Sequence, residues 1–197
     1  MSERPILFST PMIQALLAGR KSQTRRIVKL NMAGRIKRGS RNWHVADPAA
    51  VAACPYGIAN DTLWVRETWR NDFIPHEDGP EYGEGRHVGY LYAADPGEKG
   101  PWRPSIFMPR QASRITLRIT DVRVERLQEI SAADCYAEGI ERPAPGAIGS
   151  EKCGYDNARN GYRKLWESIN GVGSWEANPY VWCVAFERIA NSERQAA

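Results

Sequence analysis

A short basic stretch, residues 20–26, holds the side chains of this sequence that are best suited to chemistry at a carbonyl group. Lys21 and Thr24 lie three positions apart, and Arg25 and Arg26 follow. A threonine hydroxyl is a poor nucleophile until a base removes its proton. A lysine can act as that base when burial and neighbouring positive charges lower its pKa. The simpler interpretation is a solvated basic loop, and composition alone favours it.

A helix is predicted directly before this stretch, over residues 10–18. Ser9 or Thr10 can cap its first N–H groups, and Pro11 suits the first helical position. Gly19 suits a left-handed C-terminal cap. The apolar residues that recur at helical spacing on one face are Ile13, Leu16 and Leu17.

The motif Gly-x-Lys-x-x-Thr-x-Arg, which runs from Gly19 to Arg26, resembles the signature of the ASCH superfamily, small β-barrels related to the PUA RNA-binding fold. The broad form of that signature has Glu at the position of Thr24. The threonine form is similar to the bacterial N4-acetylcytidine amidohydrolases, in which a Lys, a Thr and a Glu are catalytic. The resemblance implies that Lys21 and Thr24 are catalytic in removing acyl groups from N4 of cytosine nucleosides.

The third catalytic residue that the resemblance implies is Glu138, because the catalytic Glu of those enzymes lies near the C-terminal end of the helix after the matching strand. A helix is predicted from Ser131 to Glu138, with Gly139 ending it. A Glu at that end is disfavoured by the helix dipole, and Lys21 would offset the cost. In one mechanism Thr24 attacks the acyl group with Lys21 as base, and Glu138 orients Lys21 or protonates the leaving amine. In the other, Thr24 and Lys21 polarise the acyl carbonyl while Glu138 activates water directly. Both mechanisms stay open.

The fold class that the resemblance implies is α+β, a small PUA-like (ASCH) β-barrel with flanking helices and long loop insertions. The resemblance to the family covers four blocks of the sequence: residues 5–28, 60–67, 114–140 and 180–189. The small amidohydrolases are about half as long as this chain, so its remaining stretches are insertions relative to them: residues 30–58, 70–110 and 142–178. In this respect the chain is similar to the longer ASCH proteins of phage and prophage genomes. With 197 residues, a single domain over 1–190 is expected, and 191–197 are expected to form a disordered tail.

Further candidates for substrate binding come from a strand predicted over residues 61–69. Its alternation places Glu67 on the inward face with Leu63 and Val65, so Glu67 needs a cationic partner, and Lys21 or Arg26 are the candidates. Glu67 is also the reserve candidate for the catalytic acid. The residues assigned to substrate binding are Arg26, Glu67, Trp69 and Phe107. The two aromatic residues could supply a stacking face for the base, and the alternative for them is packing in the core.

The charge distribution is uneven, although the net charge is only +4. From Arg4 to Ala46 there are ten Lys or Arg residues and no Asp or Glu. This asymmetry favours an anionic or electron-rich partner, with a solvated basic face as the alternative. A nucleoside is the expected substrate. The alternative function is a nucleic-acid-binding or RNA-cleaving ASCH module, which would need the basic residues but has no use for a Thr–Glu pair.

The four cysteines predict free thiols rather than a metal site. Cys54, Cys135, Cys153 and Cys183 form no CxxC pair, and the three histidines do not fall at ligand spacing, so neither a metal nor another cofactor is expected. No apolar run approaches the length of a membrane span, and the first eight residues do not resemble a secretory signal. The expected location is the cytoplasm.

Overall fold

The computed structural model describes residues 2–75, 85–142 and 152–189 and shows an α+β fold. The predicted tail, residues 191–197, lies outside the described residues, as does most of the loop predicted over residues 141–154. The helices are α1 (Thr10–Leu17), α2 (Ala132–Ala137) and α3 (Lys152–Asn170). The strands are β1 (Glu3–Leu7), β2 (Gln23–Ile27), β3 (Ile36–Arg38), β4 (Arg41–Trp43), β5 (Thr62–Arg66), β6 (Trp69–Pro75), β7 (Gly85–Tyr92), β8 (Thr116–Arg126) and β9 (Tyr180–Arg188).

The centre of the fold is a five-stranded sheet in the order β1–β5–β8–β9–β2. Strands β1 and β5 are parallel, and the other neighbours are antiparallel. Among the described residues, the two edge strands β1 and β2 share no backbone ladder; instead, the guanidinium of Arg26 on β2 donates a hydrogen bond to the Leu7 carbonyl on β1 at 2.8 Å. The α+β class is therefore confirmed, whereas the closed PUA-like barrel stays a prediction.

Strand β9 is buried on both faces because helices and strands cover the sheet on both sides. Trp182, Val184 and Phe186 belong to a core that also holds the buried face of α1. Val181 and Cys183 alternate with them and face a second core, which α2 and α3 complete. A strand that is covered on both sides reads as a continuous apolar run, as this one does.

The 142–178 insertion contains helix α3: the helical spacing of its apolar residues predicts a helix over residues 156–169, and the observed helix, Lys152–Asn170, extends beyond both bounds. Tyr162 and Trp166 lie against the second core, and the Tyr162 ring is 6.3 Å from the rings of both Trp166 and Trp175. Ile169, which continues the predicted apolar stripe, is half exposed. The helix therefore buries most of its apolar stripe and leaves one end of it at a surface opening.

Two of the predicted loop insertions contain hairpins. Residues 70–110 were expected to hold one strand, near 88–92, but β6 and β7 pair from Trp69–Tyr92 to Pro75–Gly85. In the 30–58 insertion, β3 and β4 pair around Gly39 and a 3-10 helix follows at Pro48–Ala53. Short strands with Arg, Asn and Gly show little alternation of apolar and polar residues, so they are hard to predict from sequence, and pairing with the neighbouring strand stabilises them.

Over the described ranges, no helix combines the length and the apolar character that a bilayer crossing requires.

Candidate active site

Lys21 is placed by a tight reversal of the chain after α1. Gly19 adopts a φ of +72°, the left-handed conformation predicted for this cap, and the backbone N–H groups of Arg20 and Lys21 both donate to the Ala15 carbonyl. The Ser22 N–H then donates to the Ala137 carbonyl of α2 at 2.8 Å. These bonds tie the basic stretch to two helices. The solvated loop that composition favours is therefore wrong for Lys21, which is 4% exposed.

Glu138 is placed by the end of α2. Ser131 and Asp134 form a reciprocal capping box at the start of that helix, and Glu138 occupies its C-cap. Gly139 follows with a φ of +102°, and a Cβ atom there would lie 3.0 Å from the Ala15 Cβ of α1. Only glycine allows the two helices to approach so closely, and this approach brings Glu138 next to Lys21.

Lys21 and Glu138 form a buried ion pair, the contact predicted from the sequence. Lys21 Nζ lies 2.9 Å from Glu138 Oε2, 2.9 Å from the Glu138 carbonyl and 2.8 Å from the Gln23 carbonyl. Three acceptors match the three N–H bonds of an ammonium group, so this geometry suits the charged lysine. Burial lowers the pKa of Lys21, the charge and hydrogen bond of Glu138 raise it, and Arg26 and Arg25 lower it further.

Arg25 is a second cationic partner of Glu138, and sequence reasoning treated it only as a source of positive charge. Its Nη1 lies 3.3 Å from Glu138 Oε1, and its Nη2 contacts Glu125 and lies 3.2 Å from Asp134 Oδ2. Arg123 contacts the same two acids. Strand alternation places Arg25 on the side of β2 that faces α2, but the polar sequence of β2 does not show which of its faces is buried.

Thr24 does not complete the predicted hydrogen-bonded triad. It is fully buried, and its hydroxyl has no hydrogen-bond partner among the described residues. Thr24 is paired with Val184 in the ladder with β9, whereas Gln23 and Arg25 lie on the opposite face. Because β2 begins at Gln23, one residue before Thr24, the side chain is directed by the strand rather than by the turn. Lys21 and Glu138 thus meet without the threonine hydroxyl.

A cavity of about 330 Å³ opens onto the Glu138 carboxylate. Arg25 and Arg26 line it beside Glu138, and Tyr56, Tyr162 and Trp166 supply aromatic walls. The pKa of Tyr162 is raised, first by burial and then by the negative charge of Glu138, so its hydroxyl stays protonated and can donate a hydrogen bond. Apolar walls with a few charged groups at one end are typical of sites for small planar ligands.

Arg26 lines this cavity but also has a structural task. It donates to the Leu7 carbonyl, and its guanidinium lies 5.5 Å from the centre of the Phe8 ring, as does Lys21 Nζ. A second Arg26 nitrogen, Nη1, donates to the Arg25 carbonyl at 3.3 Å. Arg26 is thus the one residue predicted for substrate binding that lies beside the Lys21–Glu138 pair.

The other three residues predicted for substrate binding lie elsewhere. Glu67 is buried as expected, but Arg114 is its partner, with two hydrogen bonds of 3.0 Å, rather than Lys21 or Arg26. Trp69 packs with Met108 and Ala112 in a small separate core, and Phe107 is 69% exposed. None of the three lines the Glu138 cavity, whose aromatic walls come from Tyr162 and Trp166, which show the helical spacing of a core stripe, and from Tyr56 in a predicted insertion.

The described ranges contain no group of three or more His, Cys, Asp or Glu side chains that could hold a metal ion. Cys54, Cys135 and Cys183 are buried free thiols, and the side chain of Cys153 lies outside the description. Comparison with protein-family models, curated proteins and solved structures found no match for the chain. Function is therefore inferred from the site and from the signature of residues 19–26.

Proposed function

We propose that this chain is an amidohydrolase of the ASCH type, with a PUA-like fold, that removes acyl groups from N4 of N4-acylated cytosine nucleosides. The observation that carries the proposal is the buried Lys21–Glu138 pair at the end of an aromatic-walled cavity. Burying a carboxylate and an ammonium costs several kcal/mol per ion before their attraction is counted. Such a pair, with one partner facing a cavity of ligand size, is a common arrangement in active sites.

The reaction starts from water held at the Glu138 carboxylate. Glu138 takes a proton from the water, and the resulting hydroxide attacks the acyl carbonyl carbon. The carbonyl becomes an oxyanion, which the positive charges of Arg26 and Arg25 stabilise. The C–N4 bond then breaks as Glu138 returns the proton to N4. The products are cytidine, with a free amino group, and a carboxylic acid.

Lys21 acts on this reaction through Glu138. Its ammonium fixes the carboxylate by one direct hydrogen bond and by a second to the Glu138 backbone carbonyl. Arg25 holds the other carboxylate oxygen, so both Oε atoms are oriented and each keeps a lone pair for water or substrate. Arg26, which lines the same cavity and forms no ion pair among the described residues, supplies positive charge that suits a developing oxyanion.

The water route is favoured over a Thr24 acyl-enzyme. Thr24 is not among the residues that line the cavity, and its hydroxyl has no base within hydrogen-bond distance. Glu138 meets both requirements of a general base, because it lies at the cavity and is held in place. In this route Thr24 has no chemical role and is a buried residue of the β2–β9 ladder.

The test is conversion of N4-acetylcytidine to cytidine, followed by the change in absorbance with purified protein. Turnover supports the proposal, and the absence of turnover over a broad pH range would overturn it. Thr24→Val, which keeps the shape of the side chain and removes the hydroxyl, separates the two routes. Retained turnover in Thr24→Val supports activated water, whereas loss of turnover with an unchanged melting temperature supports the acyl-enzyme.

A further inference from the structure

A second cavity, of about 410 Å³, adjoins the one at Glu138. The two cavities share Ile27 and Tyr56 in their walls. Trp182, Pro55 and Ala53 contribute apolar surface to the second cavity, but its most distinctive feature is charge: Lys29, Lys37 and Arg38 line it, and no acidic residue does. A ligand that fills the first cavity therefore has a cationic cavity directly beside it.

The three cations have no carboxylate partner among the described residues. None of them forms an ion pair there, and the surrounding sequence from Arg4 to Ala46 contains no acid that could neutralise them. Arg38 is nevertheless held in place, because its Nη1 donates to the Ala52 carbonyl at 2.7 Å and to the Cys54 carbonyl at 3.4 Å. A guanidinium that is bound to neutral carbonyls keeps its full charge for a ligand.

Regular structure also fixes the positions of the three cations in the wall of the second cavity. Lys37 and Arg38 belong to β3, whose first residue, Ile36, is 3% exposed and anchors the hairpin in the main core. Leu30, which follows Lys29, forms a backbone bridge with Ile36. A second guanidinium approaches the same loop from the other side, since Arg4 donates to the carbonyls of Cys54 and Pro55. The positive charge is thus concentrated around a fixed wall.

We propose that this cationic cavity, lined by Lys29, Lys37 and Arg38, binds the phosphate of a nucleotide whose base occupies the Glu138 cavity. Lysine and arginine are the usual phosphate ligands of proteins, and a nucleotide carries a planar aromatic base and an anionic phosphate at opposite ends. The two adjoining cavities correspond to these two parts, because the first has aromatic walls and the second is lined by three cations. The inference rests on the proposed function for the identity of the base, and it makes the substrate an N4-acylated cytidine nucleotide rather than the free nucleoside.

The first experiment measures binding without turnover. Titration calorimetry compares 5′-CMP with cytidine on the wild-type protein, on the double variant Lys29→Met/Lys37→Met and on Lys99→Met, an exposed lysine that lines neither cavity. The phosphate should improve affinity about tenfold or more in the wild type and in Lys99→Met, a gain typical of charge-assisted hydrogen bonds. The double variant should lose most of that gain. Equal affinity for CMP and cytidine in the wild type, or a gain that survives the double substitution, would overturn the proposal.

A second experiment compares turnover of N4-acetylcytidine and its 5′-monophosphate. Turnover of both with no advantage for the nucleotide would overturn the phosphate site and leave the proposed function standing. Turnover of neither, with CMP binding that depends on Lys29 and Lys37, would overturn the proposed function and support the phosphate site. A short oligocytidylate separates the sources of phosphate. Binding of the oligomer much more tightly than CMP, with a steep salt dependence, would overturn a mononucleotide as the occupant in favour of RNA.

Discussion

Two buried glutamates, Glu138 and Glu67, lie in different parts of the molecule and are held in different ways. Both are nearly inaccessible to solvent, at 3% and 1% exposure, and both have cationic partners. Glu67 is held by a single arginine whose planar fork donates to both carboxylate oxygens. Glu138 is held by two separate cations, Lys21 on one oxygen and Arg25 on the other.

The surroundings extend the contrast. Arg114 also pairs with Asp95 and lies 3.9 Å from the centre of the Tyr92 ring, so the cation of the Glu67 group is fully used. Around Glu138, by contrast, Glu138 itself lines a cavity together with Arg25 and Arg26. A buried carboxylate by itself thus does not identify a site. The informative feature is access for a ligand.

The strongest test of this contrast replaces each glutamate by its uncharged isostere. Glu138→Gln should lower kcat/KM for N4-acetylcytidine by about a hundredfold or more, because it removes the general base. Glu67→Gln should leave kcat/KM within about threefold, since a structural pair has no part in the reaction. Thermal melts confirm that both variants fold. Loss of activity in Glu67→Gln alone would show that Glu67, the reserve candidate, is the catalytic carboxylate.

For stability, in contrast to activity, the larger effect is expected at Glu67, when its pair with Arg114 is broken. Arg114→Met leaves Glu67 buried without a partner and should lower the free energy of unfolding by about 3 kcal/mol, the usual cost of breaking a buried pair. Urea denaturation measures the change. Arg163→Met is the matched control, because its ion pair with Glu176 is exposed and should be worth about 1 kcal/mol or less. Similar losses in both variants would contradict a structural role for the fork.

The Arg25 network should make the fold sensitive to acid. Burial opposes ionisation of Glu125, but the positive charges of Arg25 and Arg123 and the hydrogen bonds from Arg25 and Cys183 together outweigh it, so the pKa of Glu125 lies below its ordinary value of 4.5. A carboxyl with a lowered pKa stabilises the fold above its unfolded-state pKa, and this contribution is lost as the pH falls through the folded-state pKa. The melting temperature should therefore fall as the pH is lowered below about 4.5, and less steeply in Glu125→Gln. An equally steep fall in that variant would count against the network as its source.

The smallest predicted effect concerns two tyrosines, one at each glutamate. Tyr162→Phe removes a hydroxyl from the cavity wall and should raise KM for N4-acetylcytidine about threefold to tenfold, the worth of one neutral hydrogen bond. Tyr92→Phe removes the hydroxyl that donates to the Ala112 carbonyl at 2.7 Å, and it should lower stability by about 1 kcal/mol without changing KM. An unchanged KM in Tyr162→Phe would remove Tyr162 from the binding site.

The parts of the site that follow local rules were predictable from the sequence. The helix before Gly19 and the helix ending at Glu138 both follow from caps and glycines, whereas the pairing of Lys21 with Glu138 was implied by the resemblance to the amidohydrolases and supported by the need of a buried Lys21 for a counter-charge. Arg25 was missed because four consecutive polar residues give no sign of which face of a strand is buried. Thr24 was misplaced for a related reason: the residue at which a strand begins decides the direction of its side chains, and sequence patterns locate boundaries poorly.

The long-range contacts were not predictable in the same way. Glu67 was expected to pair with Lys21 or Arg26, but its partner comes from the residues just before β8, and the choice among many arginines depends on strand order. Tyr162 and Trp166 show the spacing of a core stripe, and they do face the core. The same helix also borders a cavity. This depends on how α3 packs relative to β2, and that packing cannot be read from the local sequence.

The position of β2 in the sheet has a consequence for how the protein is made. Its one ladder in the described sheet is with β9, so residues 23–27 have no strand partner until residues 180–188 have left the ribosome. A nascent chain therefore carries Lys21 and Arg25 unburied through most of its synthesis, and contacts over such separations form slowly. The cavity beside Lys21 and Glu138 is therefore completed in one of the last folding events, and we expect a chain that is cut short before β9 to lack the assembled site.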